Sequence, residues 1–342
     1  MVSARIAGIG VAHPPPVTQG AVFDGFFAGH YAGVARGLAK RVFENSGVVT
    51  RHGVANPLVE DVSQWPTSRR MERYLAEALP LGKEAVSAAL AEAGLAASDI
   101  GLLAVCSCTG YVTPGLDILL ARDLGLPATA QRLFVGHMGC YAALPGLGAV
   151  SDFVSVRRRP AVLLCVELPS LHVQPAAVDP QQVVAHALFS DAAAAAVVLP
   201  TEGTYGVREV ASVTDTTTAD YMTWQVTDLG FRMGLSPQVP DALRAHVRPL
   251  VAGVLAGHGL SVGDVGGWAV HPGGPRILDV VGEELGLSED DLAASRGVLA
   301  DHGNCSSPTV LMIADRLRDR GPAPIMMLAF GPGLTLYSAL IA

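Results

Sequence analysis

Short, nearly continuous apolar runs alternate along this chain with longer Ala- and Leu-rich amphipathic segments. The apolar runs predict strands over 5–11, 102–106, 161–166, 194–199, 206–213, 267–270, 325–329 and 334–339. The amphipathic segments predict helices over 71–79, 81–93, 116–124, 141–155, 242–257, 275–285 and 308–319, the first two separated at Pro80. Strands apolar at successive positions are buried on both faces, so the alternation predicts an α/β architecture of sheets covered by helices. The order of elements runs through twice, with a polar, turn-rich seam at 201–204. This divides the chain into halves of 1–203 and 204–342, which share a pattern of elements rather than of residues.

Composition narrows the class. The 342 residues suit two domains or one large duplicated one, and with 50% apolar and 16% charged residues the chain can bury a substantial core. A formal net charge of −8 argues against nucleic acid as the main ligand. The start, MVSARIAGIGVAHPPP, lacks the apolar core of a secretory leader, and no stretch is expected to reach the length of a membrane span. Five cysteines, an odd number in mostly apolar surroundings, fit free thiols in a reducing cytoplasm. Cys106 and Cys108 have no second Cys/His pair at ligand spacing, so no metal site is expected from them.

Three Gly-punctuated junctions carry the candidate chemistry: Cys140 in GHMGCYAALPGL, His271 in WAVHPGGP and Asn304 in DHGNCSSP. A thiol at a helix start is exposed to the positive end of the dipole, which favours thiolate, and can hold an acyl group as a thioester. An imidazole can polarise that thiol, and a carboxamide can donate to a developing oxyanion. Taken singly, a Cys in apolar surroundings is a small core residue and an Asn after Gly a turn former. Their joint placement at strand–turn–helix junctions points to acyl transfer on sulfur. The same Cys–His–Asn order occurs in papain-like proteases, but those carry the nucleophile near the mature N-terminus in a different local context.

The motifs LGKEAVSAAL, CSCTGYVTPGLD, MGCYAALPGL, CVELPSLHVQP, ALFSDAAAAAVV, GFRMGLSPQVP, AVHPGGPRILD, HGNCSSPTVL and FGPGLT, in this order, resemble the type III polyketide synthases. These are the chalcone-synthase-like branch of the thiolase superfamily. The resemblance runs from about Arg41 to the C-terminus and implies a thiolase-like duplicated αβαβα layered fold. It implies that Cys140 is acylated by an acyl-CoA starter and that His271 pairs with the thiolate. His271 and Asn304 would then hold the malonyl-CoA carbonyl through decarboxylation, and the enolate would attack the Cys140 thioester. CoA thioesters are then the substrates, with no metal or redox cofactor.

The resemblance assigns further positions. Phe189 corresponds to an aromatic gatekeeper, and either Phe231 or Met233 to a second. Cys108, Thr109, Thr113, Pro169, His172, Ser306 and Gly333 correspond to cavity-lining residues, and Arg41, Gly274 and Arg276 to CoA contacts. The loop holding Thr113 crosses the subunit interface in the family, which implies a homodimer. Pro169, Thr113 and His172 depart from the usual residues at their positions and favour comparison with bacterial alkylpyrone and alkylresorcinol synthases. Two other readings fit the same three residues: a single-condensation enzyme of the ketoacyl synthase III type or related acyltransferase, and a non-condensing partner subunit.

Overall fold

The computed structural model describes residues 4–33, 35–201, 205–318 and 324–342. The first half contains β1 (Arg5–Ala12), β2 (Pro16–Thr18), α1 (Gln19–Val22), α2 (Ala28–His30), α3 (Arg36–Glu44), β3 (Thr50–His52), α4 (Thr67–Ala93), β4 (Leu102–Cys106), α5 (Leu116–Leu124), β5 (Gln131–Val135), α6 (Ala143–Arg157), β6 (Ala161–Glu167), α7 (Pro180–Leu188) and β7 (Ala192–Leu199). The second contains β8 (Val207–Thr214), β9 (Met222–Thr227), β10 (Gly230–Leu235), α8 (Val239–Gly257), β11 (Gly267–Val270), α9 (Pro275–Leu285), α10 (Glu289–His302), α11 (Pro308–Arg318), β12 (Ile325–Gly331) and β13 (Thr335–Ile341). The seam expected at 201–204 falls almost entirely outside the described residues, as does position 319 of the last predicted helix.

Two sheets organise the chain, a five-stranded one ordered β1-β7-β6-β4-β5 and a four-stranded one ordered β11-β12-β13-β8. Side-chain alternation sorts each strand between two layers. Leu103 and Val105 of β4 point to the outer layer with α4 and α5, whereas Ala104 and Cys106 point inward. The inward layer holds α6 and α11 between the sheets, where Leu144, Leu147, Val150 and Val154 of α6 are completely buried. Helices α8 and α9 cover the far face of the second sheet. The layers therefore read helix, sheet, helix, sheet, helix, as the resemblance implied.

Two expectations need correction. Helix α4 runs unbroken through Pro80 instead of stopping there. Pro80 and Ala76, whose carbonyl loses its helical donor, both lie on the exposed face, so water can satisfy that group while the opposite face packs on β1 and β7. The helical run Gly139–Arg157 is long and apolar enough to span a membrane by length and composition, against the expectation that no stretch would be. Its apolar character has a nearer cause, since α6 is covered by sheets on both sides.

Candidate active site

Cys140 lies in a 3₁₀ turn, Gly139–Tyr141, that leads into α6. Gly139 has φ +73°, and a Cβ there would come within 3.0 Å of Pro332 in the FGPGLT loop, so only glycine brings the turn this close to the second half. His271 follows β11 directly, its N–H donating to the Leu328 carbonyl of β12 at 2.8 Å. Asn304 follows Gly303, whose φ of +75° ends α10 and whose Cβ would meet Ser190 at 2.9 Å. Backbone bonds Asn304 N–H to Leu188 O (2.9 Å) and Ser190 N–H to Asn304 O (3.0 Å) place Asn304 in a parallel bridge with Phe189. Arg51 fixes the same segment by donating to the carbonyls of His186 and Phe189.

Cys140, His271 and Asn304 line one cavity of about 480 Å³, with Phe189, Met222, Met233, Gly274, Arg276 and Phe330 among its walls. Asn304 Oδ1 accepts from the Ser306 N–H at 2.8 Å, which leaves the carboxamide NH₂ as the group able to donate to a ligand. Neither ring nitrogen of the buried His271 has a hydrogen-bond partner among the described residues. Burial pushes the His271 imidazole down to about 3 and the Cys140 thiol up to about 11, the Ser306 hydroxyl opposing the latter. The helix start therefore does not make Cys140 a thiolate by itself. Desolvation in the pocket opposes the thiolate, and a base able to take the proton would offset it.

A second cavity of about 120 Å³ adjoins the first, sharing Cys140, Phe189, Met222 and Met233. Cys108, Thr109, Pro169 and Ser306 line it. Met233 stands at the junction of both cavities, whereas Phe231 lines neither and stacks on His172 at 4.5 Å. His172 bounds only a void of about 30 Å³ behind this wall. Its Nδ1 accepts from Phe231 N–H (3.0 Å), so its Nε2–H donates to Thr109 O (2.7 Å), and both nitrogens are occupied. Gly333 lines neither cavity, although its neighbours Pro332 and Leu334 each line one. Thr113 is exposed and touches neither cavity of its own chain. Arg41 borders a shallow surface depression that shares Val184, Leu188 and Pro275 with the main cavity, and exposed Arg276 lines the main cavity itself.

Two further residues at the site are given no role by the sequence motifs, although Glu167 lies within CVELPSLHVQP. Trp224 of β9 walls the inner cavity and donates from its indole to Cys108 O at 2.8 Å. Its hairpin was not expected, although MTWQVT and GFRMGL flank a tight Asp228–Leu229 turn. Glu167, at the end of β6, is fully buried and accepts from Thr109 Oγ1 (2.7 Å), Cys108 N–H (3.0 Å) and Ser307 Oγ (3.2 Å). Burial nevertheless raises its carboxyl to about 7.

The layered fold and the convergent thiol, imidazole and carboxamide define an acyl-transferring condensing enzyme. Sequence models of the N-terminal and C-terminal domains of chalcone and stilbene synthases match residues 3–201 and 211–342. A 1,3,6,8-tetrahydroxynaphthalene synthase of Streptomyces peucetius is 36% identical over 90% of this chain and 84% of its own. An α-pyrone synthesis polyketide synthase-like protein of Mycobacterium tuberculosis is 32% identical over 88% and 81%. Among solved structures, the tetrahydroxynaphthalene synthase of Streptomyces coelicolor superposes with a TM-score of 0.92 at 29% identity, covering 99% of each chain. PKS-I of the brown alga Ectocarpus siliculosus gives 0.93 at 29%, covering 100% of this chain and 98% of its own. The chain belongs to the chalcone and stilbene synthase family, and its likeness to type III polyketide synthases extends over its whole length.

Proposed function

We propose that this chain is an iterative decarboxylative condensing enzyme that builds a polyketide on Cys140 from an acyl-CoA starter and malonyl-CoA. The observation that carries the reading is the buried His271, with neither nitrogen partnered among the described residues, in one cavity with Cys140 and Asn304. In loading, the Cys140 thiol gives its proton to His271 as sulfur attacks the starter carbonyl, and CoA leaves as the thiol. His271, neutral again once its proton has left on CoA, and the Asn304 NH₂ then donate N–H bonds to the malonyl thioester oxygen while CO₂ departs, leaving an enolate. The enolate carbon attacks the Cys140 thioester, the C–S bond breaks, and the lengthened chain leaves as a CoA ester for another round or for ring closure to a pyrone or phenol. Decarboxylation supplies the carbon nucleophile, so the condensation calls for no metal or redox cofactor. The α-pyrone relative supports closure to a pyrone, and the tetrahydroxynaphthalene relatives support closure to a phenolic ring.

Phe189 and Met233 act as the gate pair between the two cavities, which their position at the junction supports. Arg41, Gly274 and Arg276 receive the CoA moiety at the outer end. The working unit is a homodimer in the reducing cytoplasm. Exposed Ile118, Leu133 and Phe134 around edge strand β5 support the first assignment, and five free cysteines the second. The division at 203/204 follows the seam between the family models and the change of sheet from β7 to β8.

Incubation with a starter acyl-CoA should add the acyl mass to the peptide holding Cys140. Cys140→Ala should lose product while still releasing some CO₂ from malonyl-CoA. Acylation at another cysteine, or condensation by Cys140→Ala, refutes the assignment. A linear product of one extension would instead establish the ketoacyl synthase III-type reading.

A further inference from the structure

Three histidines far apart in sequence meet behind the active-site segment. His13 follows β1, His52 ends β3, and His302 is the last residue of α10, two positions before Asn304. One ring nitrogen from each lies within 4.8 Å of those of the other two. His52 Nδ1 stands 2.8 Å from the Pro14 carbonyl, so it carries the proton and leaves the Nε2 lone pair as an acceptor. That lone pair accepts from His302 Nδ1–H at 3.1 Å, a bond a metal ion would replace. His13 Nδ1 is buried without a hydrogen-bond partner among the described residues, an arrangement that is costly unless a ligand satisfies it.

We propose that His13, His52 and His302 form a three-imidazole site for a divalent transition metal of the zinc type. A backbone carbonyl fixing one imidazole through its distal N–H is the outer-sphere arrangement that orients metal-ligating histidines. Neutral imidazole is the ligating form, and burial holds all three rings below the usual histidine range. Arg316, whose charge reaches His13 and His302, is paired with Asp301 at 2.8 Å. The rings are stacked, His13 at 4.4 Å from each of the others, so ligation requires the partly exposed His13 and His302 to rotate about χ2. The site is structural. It ties the N-terminal strand and β3 to the end of α10, and through Gly303 it steadies Asn304. His52 also donates from its N–H to Ser190 Oγ at 2.8 Å, next to Phe189, so the same site braces the gate segment.

The test uses untagged full-length protein, stripped with a chelator and titrated with Zn²⁺ by calorimetry and with Co²⁺ by visible absorption. The expected result is one equivalent bound per chain with micromolar or tighter affinity. The Co²⁺ spectrum should lack a thiolate charge-transfer band, and zinc should raise Tm. Binding should persist in Cys140→Ser, which removes the competing thiol, and be lost in His13→Gln and His302→Gln. Unaltered binding in both histidine variants, or no saturable binding by the parent, overturns the proposal and leaves a metal-free stack of imidazoles. Should either variant fail to fold, X-ray absorption on the zinc-loaded parent decides: three imidazoles support the site, and fewer reject it.

Discussion

Asn304 owes its usefulness to the backbone two residues away. Because the Ser306 N–H occupies Oδ1, the amide cannot flip without losing that bond, and its NH₂ is held ready for an oxyanion. Asn304→Ala should therefore lower kcat by about 10²–10³-fold, measured as malonyl-CoA decarboxylation, with the fold intact by circular dichroism. A loss under tenfold would mean that another donor supports the enolate. Glu167 makes a prediction of a different kind. Its carboxyl is raised from 4.5 to about 7, so the folded chain keeps a proton that the unfolded chain releases between those values. Stability from this group is full below the lower value and is lost as pH rises through the upper one. Denaturant titrations of Glu167→Gln and the parent should thus diverge in the variant's favour as pH climbs through that window. Parallel curves would show that Glu167 is already ionised in the folded protein.

At the scale of elements, α6 is the common wall of both sheets. Leu147→Ala on its buried face should cost about 2–5 kcal/mol while leaving the product pattern unchanged, as read by denaturation and product mass spectrometry. A change of product would place α6 in control of the cavity rather than of the core. The same scale shows what the sequence makes legible. Strands β4, β6, β7 and β12 are apolar throughout, apart from Glu167 at the end of β6, because both faces are buried, so their runs announce themselves. Strand β5 has mostly exposed side chains and lacks that signal. Helix α10 has almost no apolar stripe to detect, although Ser288 and Asp291 form a capping box at its start. Cys140, His271 and Asn304 stand out because each sits in a Gly-punctuated junction. Glu167 and Trp224 sit in ordinary strand sequence, and only the fold brings them to Cys108. The histidines at 13, 52 and 302 share no spacing at all.

At the scale of the whole molecule, the open flank of the first sheet asks for a cover. Leu133 and Phe134 are 39% and 42% exposed on β5, beside Ile118 of α5 at 42%. If a second copy supplies the cover, Phe134→Asp should shift the protein from dimer to monomer in sedimentation equilibrium. A parent that is already monomeric at micromolar concentration would remove this surface from consideration.

The bridge between Phe189 and Asn304 has its own corollary. A starter wide enough to push the aromatic ring aside also pulls on the strand segment that aims the carboxamide. Discrimination among acyl chains should then register as slower turnover at saturation more than as weaker capture, since the same short stretch of backbone both admits the guest and sets the aim of the chemistry.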